Sequence, residues 1–194
     1  MKRSVLAVIW LALVLVAPSL FTPNIAHAQI TSIADAINKS GRQRMLSQRI
    51  LSTYYQVGKN INTTKSKQQL IDAVNLFESQ LTELQEYAKK SSIVQQQQEK
   101  NIDLNGALNK VSRLWIPAKK IATEEVQRSR AEELRDLNEA LLKASHAVVL
   151  QLQSLSGSES GRLVNIAGRQ RMLSQRLSSL YILQSWGFNN PEYE

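Results

Sequence analysis

One arginine-rich run is written twice in this chain. Gly41-Arg42-Gln43-Arg44-Met45-Leu46-Ser47-Gln48-Arg49 is matched residue for residue by Gly168-Arg169-Gln170-Arg171-Met172-Leu173-Ser174-Gln175-Arg176, nine identical residues set 127 positions apart. The copies open with Asn38-Lys39-Ser40 and Asn165-Ile166-Ala167, and beyond the run Ser52/Ser179 and Tyr54/Tyr181 still agree. A guanidinium is planar, permanently charged and forked, which suits it to planar or tetrahedral oxyanions. On a helix, at about 100° per residue, Arg42, Met45, Leu46 and Arg49 share one side, and Ile37, Gly41, Arg44 and Gln48 an adjacent one. Glycine inside a helix costs about 1 kcal/mol relative to alanine. Its use here is to let something approach the backbone closely. The arginine three residues on overhangs the same spot. Gly41 with Arg44, and Gly168 with Arg171, are therefore chemically suited to a small anion such as nitrate, nitrite, sulfate or a carboxylate. In the competing reading the arginines are solvated or paired with acids elsewhere. Met45, Leu46, Met172 and Leu173 are expected in the core. The duplication favours the functional reading, because a generic exposed helix face does not require nine identical residues.

Other chemistries have little to draw on. The chain has no cysteine and only two histidines, His27 and His146. Thiolate metal sites and cysteine nucleophiles are excluded, and a zinc site or a Ser-His-Asp triad lacks parts. No paired acid and base or nucleophile stands out, so neither an enzyme nor a cofactor is expected. His146 reads as a partly exposed helix residue. Lysine and arginine number 24 against 16 acids, and the six motif arginines hold most of the excess. Charge so localised points to an anion site more than to a nucleic-acid surface.

Residues 1–28 read as a signal peptide. Lys2 and Arg3 form a positive start, Val5 to Ala17 is an apolar run, and Ala26-His27-Ala28 offers a small-x-small cleavage pattern. The apolar run is shorter than the roughly 20 residues of a membrane-spanning helix. The expected location is thus periplasmic after cleavage; the alternative is an N-terminal membrane anchor. Residues 29–187 suit one domain, held by its core without disulfides. The tail 188–194, with Pro191, is expected to fray.

The motif copies need elements to hold them, and helical periodicity dominates after residue 31. Thr31 or Ser32 can cap a first helix running to about Lys59, with Asp35 in a capping-box-like position. Residues 60–64 read as a turn. A second helix carries Leu70, Val74, Phe77, Leu81, Leu84 and Ala88 in the spacing of a bundle seam. Gln95 to Gln98 reads as a solvated helix start or connection. A third helix carries Leu104, Leu108, Val111, Trp115, Ala118 and Ala122, and its apolar register continues across Pro117, which favours a kink over a break. A fourth shows Leu134, Leu137, Leu141, Ala144, Val148, Leu152 and Leu155. The break at 156–161 then precedes a final helix ending near Gly187. With no strand alternation, the expected fold is all-α: an antiparallel bundle of four long helices plus a fifth, C-terminal motif helix.

Asn-x-(Ser/Ala) followed by Gly-Arg-Gln-Arg-Met-Leu-Ser-Gln-Arg resembles the signature of the PilJ-type sensor domain. That is the periplasmic input of certain chemoreceptors, related to the nitrate/nitrite sensor domains of the NarX and NarQ kinases. The resemblance covers roughly Ile30 to Leu155 and again Leu163 to Tyr181. It implies a helical bundle in which nitrate is held between two copies of the motif helix, one from each subunit. Carried over by position, it makes Arg44 and Arg171 the anion ligands, with Gly41 and Gly168 giving close backbone approach and Arg49 and Arg176 in support. Lys39 matches a lysine of the nitrate sensors; Ile166 replaces it in the second copy, and Arg42 and Arg169 stand where those sensors are uncharged. Two arrangements follow: the motif helices pair within one chain around one anion, or a homodimer carries two symmetric sites. The leading expectation is an exported oxyanion sensor or carrier, nitrate or nitrite favoured. The alternative is an interaction module that docks on a membrane receptor or transporter without a small ligand.

Overall fold

The computed structural model describes residues 29–96, 102–189 and 191, so residues 1–28, where the signal peptide is expected, lie outside it. Helix α1 spans Ile33–Gly58, and Ser32 caps it by accepting a hydrogen bond from the Asp35 amide at 3.1 Å. Helix α2 spans Thr63–Lys90, entered through Asn60 and Asn62 in left-handed conformation, which asparagine tolerates better than most residues. A short α3, Ser92–Gln96, follows; the rest of the glutamine run is outside the described residues. Helix α4, Leu104–Thr123, runs through Pro117 without interruption. Helix α5, Ala131–Ser156, ends at Gly157 with φ +56°, and Ser158 caps α6, Glu159–Ser185. Among the described residues no strand occurs, and no helix is long and apolar enough to cross a membrane.

The expected seams of α2 and α4 are buried throughout. On α5, Leu137 is only half-buried while Asn138 is fully buried, its amide donating to the Leu134 carbonyl at 3.0 Å. Consecutive long helices alternate in direction. Gln43 meets the Phe77 carbonyl while Gln56 bonds Ser66; Lys119 meets Glu78; Asn165 meets Gln153 while Arg176 meets Glu139. An alternating chain of five long helices leaves α1 and α6 pointing the same way, and these two pack against each other. Their contacts run in register: Gly41 against Gly168, Ser52 with Ser178 and Lys59 with Ser185. The pairing offset thus equals the sequence repeat to within one residue.

Helix α1 is the centre of the molecule, flanked by α2, α5 and α6. That explains why a polar helix is buried on nearly every side. Three of its hydroxyls turn back on their own helix, Ser40 to the Ile37 carbonyl, Ser47 to Arg44 and Thr53 to Arg49 and Ile50, so burial leaves them satisfied. Beyond the end of α6 comes Phe188. Its ring packs against Trp186 and lies 4.4 Å under the Arg128 guanidinium, which also donates to the Trp186 and Gly187 carbonyls. A bulky aromatic beside a cation and a second ring gains more by packing than by fraying.

Candidate functional site

Where α1 and α6 cross at their glycines, the backbones come close enough for one side chain to lie across both. A Cβ built on Gly168 would meet Arg44 Nη2 at 3.2 Å and the Gly41 Cα at 3.8 Å; one on Gly41 would meet Arg44 Nη2 at 3.5 Å. The Arg44 guanidinium therefore lies against both glycines and takes up part of the space that a side chain at Gly168 would need. It is only 1 % exposed. Its Nη1 lies 3.0 Å from His146 Nδ1 and its Nη2 donates to the Asn165 carbonyl at 3.3 Å, while Nε has no acceptor. Among the described residues no carboxylate pairs with it. Arginine cannot accept a hydrogen bond, so the Arg44 contact requires Nδ1 to be unprotonated and places the imidazole proton on Nε2.

This guanidinium forms the floor of a cleft of about 300 Å³ between α1, α5 and α6, lined by Arg44, Glu139, Lys143, His146, Arg169 and Arg176, with Leu142 and Met172 as apolar wall. Positive charge dominates it. Glu139 is the one acid in the lining, and it accepts from Arg176 Nη1 at 2.9 Å. Burial, and secondarily the charge of Arg169, lower the Arg44 pKa to about 10, so the group stays protonated at neutral pH. Burial, then Arg44 and Arg169, also hold His146 below its ordinary value, which favours the neutral ring. A charged, desolvated donor beside a neutral imidazole and further cations is an arrangement that an oxyanion would stabilise on every side.

The residues expected at the site are distributed unequally. Gly41, Arg44, Gly168 and Arg176 converge on the cleft or its floor. Arg171 does not: it is exposed on the flank of α6 away from the cleft lining. Arg49 is half-buried outside the lining, and Lys39 is buried in an ion pair with Glu83 of α2, with Asp35 at 3.8 Å. The pairing of motif helices within one chain is present, but Arg44 is joined by Arg169 rather than by Arg171. His146, Lys143 and Arg169 are the residues that sequence reasoning left out. His146 carried a signal: it lies on α5 one residue from the buried stripe of Leu141, Ser145 and Val148, at the edge of the core. Of the four motif apolar residues, Met45, Leu46 and Met172 are packed, whereas Leu173 is exposed, because none of the described helices covers that side of α6.

The family model PilJ, type IV pili methyl-accepting chemotaxis transducer N-terminal, matches residues 25–143, more than half of the chain. The chain belongs to the PilJ family. The matched part of this PilJ-family chain holds the first motif copy, α2 and α4, and reaches Lys143 on α5; His146 and all of α6 lie beyond it. No curated protein and no solved structure matches the chain.

Proposed function

We propose that this PilJ-family chain is an exported sensory module of the chemotaxis-transducer type that binds a small oxyanion, nitrate or nitrite before sulfate, in the cleft over Arg44. One observation carries the reading: a guanidinium 1 % exposed, with no carboxylate partner among the described residues, in the lining of a cation-rich cleft. Buried charges are normally paired, and a structural arginine at this place would be expected to have recruited an acid. Arg44 supplies the fork, Arg169 and Lys143 supply long-range attraction, and the Gly41/Gly168 crossing gives the guanidinium room between the helices. His146 sets the pH response. Export rests on the positive, apolar and small-x-small segments of residues 1–28.

Isothermal calorimetry and thermal shift with nitrate, nitrite, sulfate and chloride test the proposal. A ligand at 100 times its dissociation constant stabilises by about 2.7 kcal/mol, a shift of several degrees. Arg44→Ala is expected to abolish that shift. Absence of binding by all four anions, or binding that survives Arg44→Ala, would sink it. The second reading, a docking module for a membrane receptor, draws support from Arg171, exposed and without a hydrogen bond or ion pair among the described residues. It expects no small-anion affinity and a receptor complex that weakens with salt.

A further inference from the structure

Helices α1, α2, α4 and α5 meet around a cavity of about 10 Å³. Leucine and valine side chains of α2, α4 and α5 form most of its wall, and Ser40 and Gln43 of α1 and Ser145 of α5 complete it. Every lining residue is no more than 5 % exposed, so the cavity lies within the core. Gln43 Nε2 donates to the Phe77 carbonyl at 3.0 Å. That contact fixes which end of the amide is which, and it leaves Oε1 an acceptor with no donor among the described residues. Ser40 gives its proton to the Ile37 carbonyl at 3.0 Å and keeps lone pairs that can accept. Ser145 Oγ has no hydrogen-bond partner among the described residues. Buried polar atoms are seldom left in that state.

We propose that this cavity binds one water molecule, which joins α1 to α5 through Gln43, Ser40 and Ser145. A buried water needs about 10–15 Å³ of such space and two to four polar partners. Both conditions are met, and donors balance acceptors. The water donates to Gln43 Oε1 and to Ser40 Oγ and accepts from the Ser145 hydroxyl, about three bonds being usual for a buried water. A larger guest exceeds the volume, and an ion finds no charged group in the lining. The second motif copy has no such site: Ala167 stands where the first has Ser40, and Gln170 is exposed. Gln43 and Ser145 are the chain neighbours of Arg44 and His146, which meet at 3.0 Å. The water therefore bridges the same two helices one residue along, and it holds α5 at the height where His146 reaches Arg44. This role does not depend on whether an anion binds in the cleft.

High-resolution crystallography of the purified protein tests this without any substitution. One sphere of density is expected within about 2.5–3.0 Å of all three side-chain oxygens. In solution, the Val111 and Val148 methyl groups that line the cavity are expected to show nuclear Overhauser cross-peaks to a long-lived water. Ser145→Ala and Gln43→Met probe the bridge. Each is expected to lower the melting temperature, and the pair to lower it by less than the sum, because both act on one water. In the double variant the His146 titration, followed by NMR, is expected to move up towards the ordinary histidine value as its burial and its contact with Arg44 loosen. A dry cavity, or a Ser145 hydroxyl turned back onto the Leu141 carbonyl, overturns the proposal. Additive shifts of the melting temperature overturn the bridge, and an unmoved His146 titration overturns its positioning role.

Discussion

The two motif copies share nine residues and almost none of their surroundings. On α1 the run lies under α2, α5 and α6, and Gln43, Arg44, Leu46, Ser47 and Gln48 are all buried; on α6 the corresponding Gln170, Arg171, Leu173 and Ser174 are exposed and Gln175 is half-buried. Only the crossing stripe behaves alike, where Gly41 and Gly168 meet. The difference has a simple origin. Helices α1 and α6 form a parallel, in-register pair, but the rest of the bundle sits on one side of it. The flank of α1 that bears Arg44 faces α5 and becomes a cleft, whereas the like flank of α6 that bears Arg171 faces solvent. A binding motif is thus a half-site, and the helix packed beside it decides whether it is finished.

Identical substitutions in the two copies are the sharpest way to break this comparison. Leu46→Ala is expected to cost about 2–5 kcal/mol, the range for a buried leucine, and Leu173→Ala within about 0.5 kcal/mol at concentrations that hold the chain monomeric. Chemical denaturation of both variants measures it, and equal losses would mean that the copies are equally covered. Arg44→Met and Arg171→Met come next. The first is expected to weaken nitrate at least about tenfold, a change of about 1.4 kcal/mol, and the second to leave it within about twofold by calorimetry. Without anion, Arg44→Met is expected to leave the melting temperature unchanged or raised, because it removes a buried charge that has no acid partner among the described residues.

The pH response follows from His146. Its pKa in the folded protein is depressed below the unfolded value of about 6.5, so its contribution to stability is complete above that pH and is lost as pH falls through the folded pKa. A bound anion favours the imidazolium, so nitrate affinity is expected to rise as pH falls towards the depressed folded pKa, with proton uptake on binding. Calorimetry in two buffers of different ionisation heat detects that proton, and His146→Gln is expected to remove it. The smallest contrast is at the glycines. Gly41→Ala meets only an ordinary contact and is expected to gain up to about 1 kcal/mol of helix stability. Gly168→Ala meets Arg44 Nη2 at 3.2 Å, so the guanidinium must shift, and a several-fold loss of anion affinity is expected without loss of fold.

The elements were legible because their signals are local. The 3-4 seams of Leu70 to Ala88 and Leu104 to Ala122, the Ser32 cap and the break at Gly157 each depend on residues within a turn or two. The glycine–arginine unit was legible for the same reason, since Gly41 and Arg44 lie one turn apart. The remainder of the cleft was not. Arg44 to His146 spans 102 residues and joins two helices whose facing sides no local pattern specifies. Lys39 illustrates the same limit in reverse: placed beside the motif it reads as a ligand, yet the approach of α2 gives it Glu83 instead.

By itself the sequence determined an all-α chain, the helix bounds, the buried seams and a motif repeated at an interval that the α1–α6 pairing then adopts as its register. These follow from periodicity, capping and identity, which are properties of neighbours along the chain. Tertiary structure alone decided which copy is buried, which arginine lies across both glycines and which histidine joins it. Nine identical residues cannot encode two different outcomes. The asymmetry comes from the layer of α2 and α5, which covers one member of the pair and leaves the other open.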